Sequence, residues 1–232
     1  MDFVTFVGEG EPTLCKSIGW LIRKAKELTD CPVAVDTNGS LLHIAAVREA
    51  LLHADVVMPS LDAGTAATYR KINRPHREFN FATVVDGMRK FRREYKGEMW
   101  IEHMLVKGLN DSESELESLK KVFNQIEPDK IHINVPVRPP AEPRVVPPDK
   151  EAIALAYTIL RDVTDISTEE YGDFFALAST SAEEAILPII RRLAKLLTYI
   201  LTSYVASSKY SSIPCSFAYN SISTCLILVL TV

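Results

Sequence analysis

Residues 1–14, MDFVTFVGEGEPTL, run an apolar segment into an abrupt Gly-Glu-Gly-Glu-Pro turn. The segment at 2–7 reads as a buried strand, and the residues after it as a loop and then a helix. The same alternation recurs along the chain. Residues 32–36, 55–59, 99–106, 130–135 and 162–166 are short runs rich in Val, Ile and Phe, as buried parallel strands are. Helical patterns lie between them, at 13–28, 43–53, 79–95, 112–126 and Lys150–Leu160. The first comes directly after Pro12, a favoured helix-start residue. The fourth opens on Ser112 with Glu115 three positions on, the spacing of a capping box. The first five strands start at 2, 32, 55, 99 and 130, one strand–helix unit apart. Repeated β-α units predict an α/β fold with a parallel sheet, either open and doubly wound or curled as a barrel. In both, ligands sit at the carboxyl ends of the strands.

The strand ends carry polar groups among turn residues. Gly8-Glu9-Gly10-Glu11-Pro12 comes after the first strand, Thr37-Asn38-Gly39 after the second, and Pro59-Ser60-Leu61-Asp62 at the end of the third. The fourth carries Glu102 and ends in Lys107-Gly108-Leu109-Asn110-Asp111. The fifth carries His132 and Asn134 and runs into Pro136-Val137-Arg138-Pro139-Pro140. Gly admits a ligand close to the backbone, and Asn, Ser, Asp and Glu hold hydroxyls and amines. Any one of these loops is explained by ordinary turn chemistry. Five on one face point to a polar small-molecule site. GEGEP is not a dinucleotide fingerprint, because G-x-G-x-x-G is absent. Glu102 and His132 also read as hydrogen-bonded barrel-interior groups. RKINRPH, residues 70–76, reads as a solvated basic surface or as a phosphate or nucleic-acid contact.

Composition narrows the classes. The 232 residues are 47% hydrophobic and 24% charged, enough for one sizeable core. A net charge of −4 argues against a general nucleic-acid coat, though not against a local basic groove. Four scattered cysteines, Cys15, Cys31, Cys215 and Cys225, form neither a disulfide scaffold nor a zinc ribbon. The first residues lack the basic and apolar regions of a signal peptide, and a cytoplasmic location is expected. After Arg192 the only charges are Lys195 and Lys209. The longest apolar run of the tail, CLILVL, falls far below the roughly 18 residues of a membrane helix. A sticky terminal helix or strand, or read-through after a frameshift, are the other readings of this tail.

The set VTFVGEGEPTL, VDTNGSLL, MPSLDA, RKINRPH, MLVKGLND and INVPVRPPAEP, in that order, resembles the radical S-adenosylmethionine (SAM) superfamily. The branch it is most similar to is the Fe–S oxidoreductases related to the tRNA wybutosine-synthesis enzyme. The resemblance spans roughly residues 1–192. It implies a partial (β/α)6 barrel, in which a CxxxCxxC loop holds a [4Fe–4S] cluster and SAM chelates the open iron. Reductive cleavage of SAM there yields a 5′-deoxyadenosyl radical. Glu9, Gly10, Glu11 and Pro12 match the family's GGEP motif, with Glu9 in place of the first Gly; that motif's backbone meets the SAM amine. Thr37 and Asn38 fall beside the SAM site, Ser60 and Asp62 at the strand end that contacts its carboxylate or ribose, Glu102 where a polar residue faces the ribose, and Asn134 on the last barrel strand. Arg70, Lys71, Arg74, His76 and Arg138 are the candidate substrate contacts.

The sequence departs from the family at both ends. It contains no CxxxCxxC and starts at what corresponds to the family's second strand, so the first βα unit and the cluster ligands are expected to be missing and no metal ligand is assigned. After AILPIIRR the family's winged-helix-like character is lost. The expected division is a truncated barrel core at 1–167, a helical extension at 168–195 and an atypical tail at 196–232. Two functions are open: a fragment of a radical SAM enzyme, with tRNA or a small molecule as substrate and an electron donor as partner, or a non-catalytic module for an adenosyl or phosphate ligand. No membrane partner is expected. A missing first unit also leaves the edge of the strand at 2–7 unpaired, an aggregation liability from which poor solubility is expected.

Overall fold

A computed structural model describes residues 3–8, 10–136, 142 and 145–167, and the backbone of 227–228. In chain order the described elements are β1 (Val4–Phe6), a 3-10 turn (Pro12–Leu14), α1 (Ile18–Leu28), β2 (Val33–Thr37), α2 (Ala45–Leu51), β3 (Val56–Pro59), α3 (Ala66–Ile72) and α4 (Phe81–Glu94). They continue with β4 (Glu98–Met104), α5 (Glu113–Ile126), β5 (Lys130–Asn134), α6 (Lys150–Leu160), β6 (Asp165–Ser167) and β7 (Ile227–Leu228). The expected helical extension at 168–195 lies outside the described residues.

β1 to β6 pair in sequence order, each parallel to the next. The core lies on one side of them. Val4, Phe6, Val33, Val35, Val57, Met99, Ile101, Ile131 and Ile133 pack with buried residues of all six helices. Strand side chains alternate between faces. Thr5, Ala34, Asp36, Met58, Trp100, Glu102, His132 and Asn134 therefore face the other way. Helices on one side and strands in sequence order give a singly wound, barrel-like sheet and exclude the doubly wound alternative.

The helices form for readable reasons. In α4, Val84, Val85, Met88 and Phe91 fall on one buried stripe, and Asn80 caps the helix by accepting from Thr83 N at 2.9 Å. In α5, Leu116, Leu119, Phe123 and Ile126 do the same, and Glu127 ends the helix at φ 58°. Phe91 and Phe123 are fully buried, which stabilises the fold by about 2–3 kcal/mol each.

Four expectations need correction. The helix expected at 13–28 is broken: Cys15 is extended, and the chain makes a 3-10 turn before α1 begins. Thr13 is held there through its backbone N–H and hydroxyl by Glu11, so the turn belongs to the loop rather than to the helix. Second, the 44-residue interval between the third and fourth strand starts hides an additional helix, α3. Its seven residues are too few to be stable alone; the Thr65 cap on Thr68 N and burial of Tyr69 hold it. Third, the capping box is half made. Ser112 Oγ accepts from Glu115 N, but the Glu115 carboxylate crosses to the start of α3, accepting from Gly64 N at 2.7 Å and Thr65 N at 3.2 Å. Fourth, the edge of β1 is not open: β7 pairs antiparallel with it, Ile227 opposite Phe6 and Leu228 opposite Thr5.

Candidate functional site

Glu11 is the hub of the first strand-end loop. Its Oε1 accepts from Thr13 N, from Thr13 Oγ1 and from Thr37 Oγ1, and its Oε2 from Asn38 N at 2.7 Å. One carboxylate thus ties the loop after β1 to the loop after β2. Thr37 is buried and also accepts from Gly39 N at 3.1 Å. Gly39 takes φ +70°, which glycine adopts without strain. Gly10 is exposed, and a β-carbon built on it would meet nothing within 4 Å, so the backbone is open to an incoming ligand.

The third and fourth strand ends are joined next. Ser60 bridges to Glu102, and Ser60 N donates to the Thr37 carbonyl at 2.9 Å. Asp62 accepts from Met104 N at 2.8 Å on one oxygen and from Asn73 Nδ2 at 3.1 Å on the other. Buried Asn110 fastens the same corner: Oδ1 accepts from Val106 N, and Nδ2 donates to the carbonyls of Asp62 and Met104. Glu102 stands opposite His132, and Met104 opposite Asn134, in the β4–β5 register. Ser60, Glu102, His132 and Asn134 are half-buried, so solvent reaches this concave face.

Two side chains on that face have displaced titrations. Asp36 is pushed up to about 6, first by burial and then by the Glu11 carboxylate. Sequence reading passed over it, although VDTNG contains it. His132 is pushed down to about 4, by burial and then by Lys130; its ring lies 5.2 Å from that of Trp100, under which Lys130 also packs. On the helix side, fully buried His103 is also held down by burial; its Nδ1 donates to the Leu61 carbonyl at 3.0 Å.

Beside the concave face lies a groove of about 350 Å³, lined by residues that include Glu11, Asn38, Tyr69, Arg74, His76 and Phe79. The fold therefore sorts the basic motif. Arg74 and His76 enter the groove, whereas Arg70 and Lys71 are exposed on the last turn of α3 and do not line it. Arg74 takes φ 42° and pairs with Glu142 at 2.9 Å. Left-handed backbone at a non-glycine residue costs about 1 kcal/mol, and an exposed ion pair returns at most about 1 kcal/mol. Tyr69 and Phe79 were not singled out from the sequence, because nothing local to either sets it apart from an aromatic of the core. Glu9 and Arg138 lie outside the described residues.

The donor set does not fit an iron–sulfur cluster. Of the four cysteines none has CxxxCxxC spacing, and the two described ones sit apart, Cys15 after the 3-10 turn and Cys31 before β2. Polar groups around an open glycine at the strand ends do fit the amine, carboxylate and ribose of SAM.

Comparison with known proteins agrees with the fold. A protein named GTPase Obg from Brachyspira hyodysenteriae is 47% identical over 133 residues, 57% of this chain and 20% of that protein. A UPF0026 protein of Methanocaldococcus jannaschii is 32% identical over 163 residues, 70% of this chain and 50% of that one. A UPF0026 protein of Synechocystis is 33% identical over 139 residues, 60% and 52%. The chain spans about half the length of these UPF0026 relatives and a fifth of the first protein. Among solved structures, a domain of pyruvate-formate lyase-activating enzyme from Bacteroides vulgatus has TM-score 0.56 at 18% identity, covering 71% of this chain and 97% of that one. TYW1 with a lysine-pyruvate adduct bound has TM-score 0.56 at 18% identity, covering 70% and 50%. These two likenesses concern the fold. The Radical SAM superfamily profile matches residues 3–119, which span β1 through the first half of α5 and every strand end from Gly10 to Glu102. With a one-sided parallel sheet and its polar strand ends in the expected order, this chain belongs to the radical SAM superfamily.

Proposed function

We propose that this chain forms the SAM-binding cradle of a radical SAM protein. The observation that carries the reading is the convergence of open Gly10 with Asn38, Ser60, Asp62, Glu102 and Asn134 at the carboxyl ends of one parallel sheet. The Gly10 backbone would take the SAM amine; Ser60 its carboxylate or ribose; Asp62, an acceptor, a ribose hydroxyl; Glu102 and Asn134 the ribose hydroxyls. Glu11 and Thr37 act by holding two of these loops together. In the family, SAM bound at a reduced [4Fe–4S] cluster supplies a 5′-deoxyadenosyl radical. The thiolates for that cluster are not among the residues of this chain, so the cradle's own work is to bind and orient the adenosyl group.

On this reading the whole protein works in the cytoplasm with an electron donor. A tRNA base is the substrate class that the sequence resemblance to the wybutosine-synthesis branch and the basic motif at 70–76 support. The second reading, a module that binds an adenosyl or phosphate ligand without redox chemistry, is supported by the cysteine spacing.

Calorimetry of the 232-residue chain with SAM and with S-adenosylhomocysteine tests the cradle. Both should bind, and Glu102→Gln should weaken both by about tenfold, the loss of one charge-assisted hydrogen bond. Absence of heat with either ligand from a cooperatively melting sample overturns the reading.

A further inference from the structure

The opposite end of the sheet carries a second cleft, which the cradle does not use. The turns that lead into β3 and β4 border it together with α1, and it measures about 600 Å³. Its two carboxylates are already committed. Glu27 pairs with Lys24, and Asp55 accepts from Lys26 Nζ and from Val33 N at 2.8 Å. Two of its cations are not. Arg23, on α1, and Lys96, in the turn before β4, are exposed and have no hydrogen-bond or ion-pair partner among the described residues. Arg93, exposed in the last turn of α4, extends this positive strip and is equally unpaired among the described residues.

Ordinary helix electrostatics does not account for the whole strip. A cation in the last turn of a helix offsets the helix dipole. That explains Lys26, which also pairs with Asp55, and it explains Arg93. Arg23 lies more than a turn before the end of α1, and Lys96 lies beyond the extended Tyr95 that ends α4. The carbonyls of the turns are taken as well: that of Ala54 accepts from Tyr95 Oη at 3.0 Å, and that of Asp55 from Glu98 N at 3.0 Å. Gly97 packs so closely on the Tyr95 ring and the Asp55 carbonyl that no β-carbon fits there. The cations therefore stand on a fixed frame. Leu52 is exposed among them. A lone exposed leucine is ordinary. An apolar side chain beside unpaired charges has the anatomy of a protein interface, with an apolar centre and a polar rim.

We propose that this cleft docks an acidic segment of a partner protein, its carboxylates on Arg23, Arg93 and Lys96 and one apolar side chain against Leu52. The whole chain has net charge −4, so a local basic strip steers an acidic partner to this one face. Glu27 and Asp55 disfavour a continuous phosphate backbone in the cleft, whereas spaced carboxylates avoid them. A partner seated at the amino ends of the strands leaves the carboxyl ends open. The proposal does not rest on the cradle reading, because the cleft shares no residue with the cradle.

The test is fluorescence anisotropy of the full chain with a labelled peptide of glutamates that bears leucine at every third position. An all-glutamate peptide and a single-stranded oligoribonucleotide of equal charge serve as comparisons. The glutamate–leucine peptide should bind most tightly, with an affinity that falls as salt rises. Arg23→Gln combined with Lys96→Gln should weaken it by about tenfold or more. The same variant should keep the native melting temperature, because neither side chain has a partner to lose. Leu52→Ala should weaken the glutamate–leucine peptide by about threefold and leave the all-glutamate peptide unchanged. Arg70→Gln combined with Lys71→Gln removes equal charge from the end of α3 and should leave affinity within about twofold. The proposal is overturned if the glutamate–leucine peptide fails to bind at low salt, if the Arg23 and Lys96 variant stays within about twofold of the native chain, or if the α3 variant weakens binding as much. Tighter binding of the oligoribonucleotide, lost in the Arg23 and Lys96 variant, would make the cleft a nucleic-acid contact and overturn it as well.

Discussion

Two residues on the concave face set opposing pH dependences. Asp36, with its acid constant at about 6 against 3.8 for a free carboxyl, holds its proton more tightly when folded. Its contribution is fully present below the unfolded value and is lost as pH rises through 6. His132, at about 4 against 6.5, behaves oppositely: its neutral form is favoured in the fold, and stability falls as pH drops from 6.5 to 4. His103 adds to the second trend, since burial holds it down as well. Asp36→Asn should therefore stabilise the protein at pH 7.5, by up to about 3 kcal/mol, with the gain vanishing near pH 4. The variant should also lose stability on acidification more steeply than the native chain. Urea unfolding across that range measures both slopes, and a pH-independent difference between the two proteins would refute the assignment. Glu11→Gln should in turn bring the Asp36 titration down towards its ordinary value, because the Glu11 charge is the second cause of its displacement.

At the scale of elements, the joint between α3 and α5 is the tightest contact the sequence does not announce. Gly64 lies against the Glu115 carbonyl and the backbone of Ser118 and Leu119, so that an added β-carbon would overlap α5 itself. Backbone cannot yield as a flexible side chain does. Gly64→Ala should destabilise by about 2–3 kcal/mol, measured by chemical denaturation. Glu115→Ala should cost about 2 kcal/mol by leaving the Gly64 and Thr65 donors without their carboxylate. Its effect should exceed that of Ser112→Ala, which removes one long, part-buried cap. A reversed order would mean that the half-formed capping box, rather than the bridge to α3, carries the stabilisation.

For the whole molecule, the edge of the sheet is the point of risk. β1 presents Val4, Thr5 and Phe6, and β7 covers its outer edge. A chain ending at residue 226 should expose that edge and aggregate, seen as a higher mean mass in light scattering than the full chain at equal concentration. Equal masses would mean that β7 is dispensable for keeping the edge covered.

Much was legible in the order of residues alone. Apolar runs a β-α unit apart, with Gly, Pro and carboxamides after each, dictate parallel strands and polar strand ends, because backbone pairing and turn geometry are local constraints. Lys150–Leu160 was readable to the residue, for its Asp149 cap and apolar stripe are both local. What the sequence could not decide was anything that depends on a contact distant in the chain. The breaking of the helix at 13–28 comes from a carboxylate whose partners include Thr37, 26 positions away. The existence of α3 depends on Glu115, and the protection of β1 on residues more than two hundred positions later. The division of the four basic residues of RKINRPH, Arg74 and His76 in the groove and Arg70 and Lys71 solvated, was settled only where α3 ended. The positions and spacing of the strands thus belong to the sequence itself, through local hydrophobic pattern and turn chemistry, whereas their order in the sheet was decided by the tertiary structure. The concave face, the groove and the titrations of Asp36 and His132 belong to tertiary structure, because burial and proximity exist only once distant segments pack.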